Sequence, residues 1–228
     1  MVVGGESGWV KGRLMRLYLS SFRMGDHPEH LTALVGESGR RTVVIANALD
    51  DAPAGVRSRG VEDELAGLAG LGFDAVELDL RDYFGRQQRL RRDLGGFCLA
   101  WLRGGNVFML RYALFRSGGD VIFRDLLAAD TLVYAGYSAG ACVLSPSLRG
   151  LEAVDDAGAV TRVYGAEPVR DGLGLLDEVF VPHYRSPGHP ETAAIERVVA
   201  RYEADGVAYR ALRDGQVLLV NGASAVLA

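Results

Sequence analysis

Residues 132–141 combine an apolar run with a glycine-flanked serine, and this pattern restricts the local fold strongly. The run Leu-Val-Tyr-Ala favours a strand, and Gly136-Tyr137-Ser138-Ala139-Gly140 follows it before residues that are compatible with a helix. The two glycines tolerate the unusual backbone angles of a sharp turn. The segment therefore predicts a strand, a tight turn that projects Ser138, and a helix, which is the pattern of a nucleophile elbow.

Apolar runs alternate with segments of helical period along most of the chain. The predicted strands up to the elbow are Arg16–Ser20, Thr42–Ala46, Ala75–Leu80, Cys98–Leu102 and Leu132–Tyr137. The predicted helices between them are 28–36, 57–70, 106–115 and 119–129. This alternation is typical of a mostly parallel sheet with helices on both faces. We therefore expect a three-layer α/β fold.

The pattern is looser after the elbow. Residues 148–178 are rich in glycine and aspartate, which predicts turns or short strands. The elements expected next are a strand at Glu178–Pro182, a helix near 190–205, and two closing strands at about 207–212 and 216–220. Between the last two strands, Arg213-Asp214-Gly215 has the composition of a hairpin turn.

Length and composition limit the classes of protein. We expect residues 15–228 to form a single α/β domain, preceded by a disordered or leader segment at 1–14, which has no periodicity. The 29 acidic and 25 basic residues are dispersed, so nucleic acid is not an expected partner. Because no apolar stretch has membrane-spanning length and no signal-peptide pattern begins the chain, we expect a cytoplasmic protein without membrane contact.

The cysteines and the single lysine offer little chemistry. Cys98 and Cys142 lack the spacing of a metal site or a disulfide framework, so we expect reduced, buried residues. Lys11 lies outside the periodic part of the chain, which makes a lysine base unexpected. Reactive roles therefore fall to serine, histidine and carboxylate side chains.

The four histidines restrict the choice of a base for a serine nucleophile. His183 follows the apolar run Val179–Pro182 at the carboxyl end of a predicted strand, where open α/β sheets bind ligands, and it is the favoured base. His189 lies in the next loop and is the second candidate. His27 and His30 flank a predicted helix start and are expected to be solvated.

The acid that would orient this base has several candidates. Asp214 has suitable chemistry, although turn geometry alone would also explain an aspartate at its position. In an α/β-hydrolase-type esterase, our second enzyme hypothesis, the acid precedes the base in the chain. The acids then available for His183 or His189 are Asp155, Asp156 and Asp177.

A second glycine-rich junction follows the predicted strand that ends at Leu102. Arg103 is followed by the pair Gly104-Gly105 and then by Asn106, at a predicted helix start. Paired glycines at such a junction let backbone N–H groups face a ligand, as an oxyanion hole requires. The sequence therefore predicts that this junction supplies the oxyanion-binding N–H groups in the crevice that contains the elbow.

Four short motifs, taken in order along the chain, resemble those of the S51 serine peptidases. They are Gly104-Gly105-Asn106, Gly136–Ala141, Pro182-His183-Tyr184 and Arg213-Asp214-Gly215. The family includes dipeptidase E, or aspartyl dipeptidase, and cyanophycinase. The resemblance covers nearly all of the chain from Met15 onward. It implies a flavodoxin-like fold similar to that of the class I glutamine amidotransferases.

The resemblance also implies a mechanism. By it, Ser138 is the nucleophile, His183 the base, and Asp214 the acid, where dipeptidase E has glutamate. The implied oxyanion donors are the backbone N–H groups of Gly105 and Ala139. The implied reaction is hydrolysis of a short peptide through an acyl-enzyme, with no metal and no cofactor.

Two positions depart from the dipeptidase pattern. Arg103 stands where that pattern has a third glycine. Glu191-Thr192 is followed by Ala193, where dipeptidase E has the arginine that binds the substrate's aspartate. Alanine cannot replace an arginine fork, so we do not expect strict specificity for aspartate.

Substrate contacts are expected from five side chains. They are Arg103, Asn106, Tyr137, Arg185 and His189, of which the two arginines are candidates to bind a substrate carboxylate. The third hypothesis is a catalytically silent homologue that uses the elbow to bind a small molecule. The sequence leaves open a homodimer.

Overall fold

The architecture is described over residues 15–37 and 39–228 of a computed structural model, so the segment 1–14 lies outside the described residues. The strands are β1 (Arg16–Ser20), β2 (Arg41–Ile45), β3 (Asp74–Glu77), β4 (Leu99–Leu102), β5 (Val133–Tyr137), β6 (Val179–Val181), β7 (Tyr209–Ala211), β8 (Val217–Asn221) and β9 (Ser224–Leu227). The helices are α1 (Glu29–Val35), α2 (Ala54–Gly70), α3 (Gln87–Leu94), α4 (Val107–Ser117), α5 (Gly119–Ala128), α6 (Ala139–Cys142), α7 (Gly158–Tyr164) and α8 (Thr192–Asp205).

The central sheet has the strand order β3-β2-β4-β5-β1-β8-β9. The first five strands in this order are parallel, and β8 and β9 add an antiparallel edge. The neighbouring strands β4, β5 and β1 end at Leu102, Tyr137 and Ser20. Because the carboxyl ends of parallel strands share one edge of a sheet, the loops after these three strands meet there.

Side chains of the parallel strands alternate between two apolar layers. Leu17 and Leu19 face the layer that contains α3 to α7, whereas Tyr18 and Trp101 face the layer that contains α1 and α2. A period of two with apolar residues on both faces is typical of central strands covered on both sides. These layers confirm the predicted three-layer α/β fold with a mostly parallel sheet.

The helices predicted before the elbow correspond to α1, α2, α4 and α5. The start of α4 has a clear local cause, because the Asn106 Oδ1 atom accepts hydrogen bonds from the N–H groups of Phe108 and Met109. The helix ends at Gly118, whose φ of 75° lies in the left-handed region. In the described part of the chain, no helix has the length and apolar character needed to cross a membrane.

The predicted hairpin near the C-terminus is wrong. Strand β7 pairs in parallel with β6 in a separate two-stranded sheet, whereas β8 pairs with β1 and β9 in the central sheet. Residues 212–216 therefore cross between two sheets, and Asp214 lies in this crossing segment. A short strand shows the same alternation of apolar and polar residues whichever strand it pairs with. Packing in the folded protein therefore decides which strands pair.

Two helices were not predicted. In α3, Leu90 and Leu94 bury one face of a short and mostly polar helix. In α7, glycine and β-branched residues give weak helix propensity, so capping and packing decide its formation. The Asp156 Oδ1 atom accepts a hydrogen bond from the Gly158 N–H at 2.9 Å, and Val160 is buried. The prediction of turns or short strands over 148–178 missed this helix.

Candidate active site

Ser138 lies at a strained turn between β5 and α6. Its φ of 49° is in the left-handed region, which non-glycine residues rarely adopt. A Cβ at Gly136 would lie 2.6 Å from the carbonyl oxygen of Leu102, and one at Gly140 would collide with the same oxygen. Both glycines are therefore needed for the elbow to pack against β4, which leaves the serine hydroxyl at the carboxyl edge of the sheet.

Three polar side chains form a hydrogen-bonded chain at this edge. The Ser138 Oγ atom lies 3.1 Å from Nε2 of His183, and Nδ1 of His183 lies 2.7 Å from Oδ1 of Asp214. If Nδ1 donates its proton to the carboxylate, Nε2 is left as the acceptor for the serine hydroxyl. The structure thus brings together Ser138, His183 and Asp214, the side chains that the sequence analysis assigned as candidate nucleophile, base and acid.

Two buried serines hold His183 and Asp214 in position. The Ser21 Oγ atom accepts a hydrogen bond from the His183 N–H at 2.8 Å and donates one to Asp214 Oδ1 at 2.9 Å. The Ser186 Oγ atom accepts from the Asp214 N–H at 2.8 Å. Sequence reasoning missed both residues. The available signal at Ser21 was a polar pair, Ser20-Ser21, directly after a buried strand.

Burial lowers the pKa of His183, which favours the neutral imidazole. The hydrogen bond from His183 to Asp214 acts in the opposite direction, and the neighbouring His189 lowers the pKa further. The rings of the two histidines stack with centroids 3.7 Å apart and an angle of 4° between their planes. A neutral imidazole at neutral pH can accept a proton, as a general base must.

This lowered pKa predicts a pH dependence for the reactivity of Ser138. The acid limb of the rate of fluorophosphonate labelling is expected at a pH below about 6.5, the usual value for histidine. Labelling requires a neutral imidazole, so the labelling rate decreases as the pH falls through the lowered pKa of His183. Labelling rates from pH 4.5 to 8 would measure the midpoint. A midpoint above 7 would contradict the prediction.

Two backbone N–H groups flank Ser138 without partners. In the part of the chain that the structure describes, the N–H groups of Gly105 and Ala139 donate to no other group. Gly105 has a φ of 141°, and a Cβ there would lie 2.5 Å from the carbonyl oxygen of Ala48. A Cβ at Gly104 would lie 3.1 Å from that of Ser138. Gly104 therefore packs against the elbow and Gly105 packs against Ala48, and the Gly105 and Ala139 N–H groups are left as donors for a ligand oxygen.

These loops line one cleft. Its lining residues are Phe22, Arg103, Gly104, Gly105, Tyr137, Ser138, Asp155, His183, His189, Pro190 and Glu191. The Phe22 ring contacts Tyr137, His183 and His189 edge to face, with centroids 5.7 to 6.3 Å apart. The aromatic side chain after β1 therefore forms one wall beside the candidate base.

Three of the five predicted substrate-contacting residues line this cleft. Tyr137 and Arg103 both contact the buried Glu64, since the tyrosine hydroxyl donates to Oε1 at 2.7 Å and the Arg103 Nε lies 3.3 Å from the same atom. The Arg103 Nε–H makes no hydrogen bond at that contact. His189 is the third. The charge of Arg103 is thus partly compensated before any ligand binds.

The other two residues lie elsewhere. Arg185 is exposed, with its guanidinium 4.9 Å from the centre of the Tyr184 ring, and it is not among the described residues that line the cleft. The Asn106 side chain caps α4 and donates to the carbonyl oxygen of Asp156 at 2.9 Å. Its polar atoms are used in positioning the glycine loop.

The acids of the esterase hypothesis are not bonded to a histidine. Asp156 is exposed and pairs with Arg162, and Asp177 is exposed at a turn before β6. The Asp155 Oδ2 atom accepts a hydrogen bond from the Val107 N–H at 2.9 Å. Over residues 15–37 and 39–228, none of the three forms a hydrogen bond or an ion pair with His183 or His189. Asp155 does line the cleft, which the sequence did not predict.

The cysteines do not compete with Ser138. Cys142 is buried with its Sγ 3.4 Å from the carbonyl oxygen of Phe180, and burial raises the pKa of its thiol. Both cysteines are free, as predicted, but Cys98 is only partly buried. A thiol with a raised pKa is protonated and therefore a weak nucleophile.

Two groups of side chains have the composition of a metal site. One is the mostly exposed set His27, Glu29 and His30, which does not line the cleft. The other is His183, His189 and Asp214. In the second group, both ring nitrogens of His183 are already hydrogen-bonded. The stacked rings of His183 and His189 lie in nearly parallel planes, so the lone pairs of their nitrogens do not point toward one common position. The arrangement therefore suits proton transfer better than metal ligation.

Comparison with known proteins identifies the family. The sequence model of peptidase family S51 matches residues 21–228. The chain belongs to peptidase family S51. This confirms the resemblance that the four motifs suggested.

Two curated bacterial peptidases are similar to the chain. An uncharacterized peptidase of Listeria innocua, Lin0382, is 30% identical over 62% of the chain and 64% of its own length. A second uncharacterized peptidase, Lmo0363 of Listeria monocytogenes, is 29% identical over 48% of the chain and 50% of its own length. The matched segments thus span about half to two thirds of these relatives.

Two solved structures share the fold. A protein of Listeria monocytogenes EGD-e, provisionally named peptidase E, superposes with a TM-score of 0.76 at 22% identity, over 94% of this chain and 98% of that chain. A peptidase from an acI-B1 Actinobacterium superposes with a TM-score of 0.67 at 14% identity, over 95% and 88% of the two chains. At these identities, the similarity concerns the fold.

Proposed function

We propose that this S51 peptidase is a serine peptidase that hydrolyses short peptides through an acyl-enzyme on Ser138. The observation that carries the proposal is the hydrogen-bonded chain from Asp214 through His183 to the serine hydroxyl. The two N–H groups without partners at Gly105 and Ala139 supply a place for the developing oxyanion. Family membership supports a peptide as the substrate.

The acylation step uses each of these groups once. The Ser138 Oγ attacks the scissile carbonyl carbon while its proton passes to Nε2 of His183, and Asp214 stabilises the imidazolium. The carbonyl oxygen becomes an oxyanion that accepts hydrogen bonds from Gly105 and Ala139. When the intermediate collapses, the C–N bond breaks and His183 returns the proton to the leaving amine.

Deacylation repeats the same transfers with water. His183 removes a proton from a water molecule as that water attacks the ester carbonyl, and the oxyanion again binds to the two N–H groups. The C–O bond to Ser138 then breaks, and the serine oxygen recovers its proton from the imidazolium. The products are a carboxylic acid and the free enzyme, so no metal or cofactor takes part in this sequence.

The proposed substrates are dipeptides and other short peptides, without strict selection for aspartate. The cleft has a volume of about 230 Å³, which favours small substrates. Arg103 is the cation that lines it, and this residue is already paired with Glu64. Ala193 is exposed in α8 and offers no charge to a substrate side chain.

Covalent labelling with a fluorophosphonate tests the proposed nucleophile. The folded protein is expected to gain one adduct, which peptide mass spectrometry would locate on Ser138, because the probe reacts with serines activated by a base. His183→Gln is the matched variant and should lose nearly all labelling. No adduct in folded protein would favour the silent binding homologue. Labelling with turnover of esters but of no peptide would favour the esterase.

A further inference from the structure

A second depression lies at the edge of the central sheet opposite the cleft that contains Ser138. Four neighbouring strands, β2, β4, β5 and β1, begin there. This depression, the amino-edge pocket, has a volume of about 380 Å³, and its lining includes Arg16, Arg40, Arg41, Cys98 and Asp130. A five-residue parallel strand spans about 15 Å, so the pocket is a separate site from the cleft.

The amino-edge pocket carries an excess of positive charge. Three of its lining side chains are arginines and one is an aspartate, which gives a net charge of +2. The Arg16 Nε atom lies 2.7 Å from Asp130 Oδ1, so these two charges compensate each other. Within the described ranges, Arg40 and Arg41 form no ion pair with a carboxylate. The excess charge therefore belongs to these two guanidinium groups.

This charge excess is local. The whole chain has 29 acidic and 25 basic residues, and its net charge is −4. Arg103 and Arg111, which are less exposed, each lie 3.3 Å from a carboxylate oxygen. Glu29 and Glu37 line a neighbouring depression that Arg40 also borders, but neither forms an ion pair with it. Like charges that line one pocket repel each other, and a bound anion would remove this repulsion.

The two arginines are held in place by aromatic rings. Nη1 of Arg41 donates a hydrogen bond to the Gly96 carbonyl oxygen at 3.0 Å, and its Cζ atom lies 5.0 Å from the centre of the Phe97 ring. Cζ of Arg40 lies 5.4 Å from the centre of the Phe73 ring. A guanidinium over a ring keeps N–H groups at its edge for a ligand. Prior ordering of these side chains lowers the entropy cost of binding.

The Cys98 thiol reports on the same pocket. The residue is partly buried, and its thiol donates to the Arg41 carbonyl oxygen with Sγ at 3.1 Å. Burial raises the pKa of this thiol, whereas the positive charges of Arg40, Arg16 and Arg41 act to lower it. All three arginines therefore lie close enough to the sulfur for their charges to act on it. A ligand bound to them would shield Cys98 from reagents in solution.

The charges of the pocket indicate a phosphate monoester as the ligand. Such a group carries close to two negative charges at neutral pH and has three terminal oxygens, so it can accept hydrogen bonds from two separate guanidinium groups. A single carboxylate has one charge and would leave one arginine uncompensated. The volume of the pocket lies within the range of small-molecule sites, roughly 300–1,000 Å³, and inorganic phosphate, with five heavy atoms, would fill only part of it.

We propose that the amino-edge pocket binds a small organic phosphate through Arg40 and Arg41. The glycines Gly39, Gly95 and Gly96 leave backbone groups open to the pocket, which suits a polar body such as a sugar. None of these residues lines the cleft that contains Ser138. The site is therefore independent of the proposed function, and either proposal can fail without the other.

Calorimetric titration with ribose 5-phosphate tests the site, at about pH 7.5, where the ester carries close to two charges. We expect one binding site per chain in about 150 mM salt, which weakens diffuse attraction to surface charge. Arg40→Gln and Arg41→Gln should each weaken binding by about 10- to 100-fold, the range for a lost charge-assisted hydrogen bond. Arg197→Gln is the matched control, because Arg197 is exposed on α8 and does not line the pocket.

Alkylation of Cys98 by iodoacetamide gives an independent measurement. At about ten times Kd, ribose 5-phosphate should slow the alkylation about tenfold, because about a tenth of the sites stay free. Ribose, the matched compound without charge, should have no effect. At the same concentration, ribose 5-phosphate should protect Cys98 little in Arg41→Gln. Peptide mass spectrometry distinguishes this residue from the buried Cys142.

The folding of each variant is checked by its melting temperature and by fluorophosphonate labelling of Ser138, which should both match the wild type. Binding of ribose 5-phosphate that is selective over ribose and succinate, and is lost in Arg40→Gln and Arg41→Gln, would support the site. Neither binding nor protection of Cys98 would overturn it. Equal binding of succinate, or equal weakening in Arg197→Gln, would also overturn it, because the first shows no selection for phosphate and the second shows diffuse attraction to surface arginines.

Discussion

Replacing Ser138 by alanine is expected to lower kcat for peptide hydrolysis by about 10⁴- to 10⁶-fold, the scale seen when a serine nucleophile is removed. The reason is that the remaining groups can bind and polarise a carbonyl but cannot form the acyl-enzyme. The buried Cys142 cannot substitute, because its thiol has a raised pKa and contacts the Phe180 carbonyl. Steady-state kinetics on a dipeptide would measure the loss.

Two controls make this result specific. The melting temperature of Ser138→Ala should stay within about 3 °C of the wild type, because the substitution removes the hydrogen bond between the serine hydroxyl and His183 and leaves the backbone of the turn intact. Ser147→Ala changes a serine that does not line the cleft and should leave kcat unchanged. Peptide hydrolysis that persists in Ser138→Ala with a normal melting curve would refute the proposed nucleophile.

Replacing Asp214 by asparagine is expected to lower kcat by about 10³- to 10⁴-fold with a small effect on KM. An asparagine amide can donate to Nδ1 of His183, which selects the ring tautomer that carries its proton on Nε2. That nitrogen then cannot accept the Ser138 proton. The loss should be smallest at high pH if hydroxide partly replaces the base, so a full pH profile of kcat is the appropriate measurement.

Asp177→Asn is the matched control for the position of the acid. Asp177 is exposed in the segment before β6. It precedes His183 in the chain, as the esterase hypothesis requires of the acid. We expect wild-type kcat for this variant. A large loss in Asp177→Asn combined with near-normal turnover in Asp214→Asn would reverse the assignment.

The sequence predicted well those features that depend on neighbours along the chain. The apolar run before Gly136 and the small residues after Ser138 specify a strand, a turn and a helix by local sterics alone. His183 was placed at a strand end for the same reason, because it directly follows an apolar run. The alternation of strands and helices likewise predicted the layers, since each pattern needs only its own residues.

Features that depend on pairing between distant segments were less accessible. The segment around Asp214 was predicted as a hairpin, whereas it passes between two sheets. The role of Ser21 depends on contacts with residues 162 and 193 positions away. Asn106 was predicted to contact substrate, but its side chain caps α4 instead. No local pattern contains this information, because each contact forms only when the strand order is set.

The amino-acid order alone determined the kinds of reactive group available and their positions at strand ends: one elbow serine, two histidines after an apolar strand, and several carboxylates. It also determined the layered α/β class, because burial on one or two faces produces periods that can be recognised in a single chain. Only the tertiary structure decided that Asp214 bonds to His183 and that Asp155, bonded to the Val107 N–H, lines the cleft. The physical reason is that hydrogen bonding and desolvation depend on distances between segments that strand pairing and packing bring together.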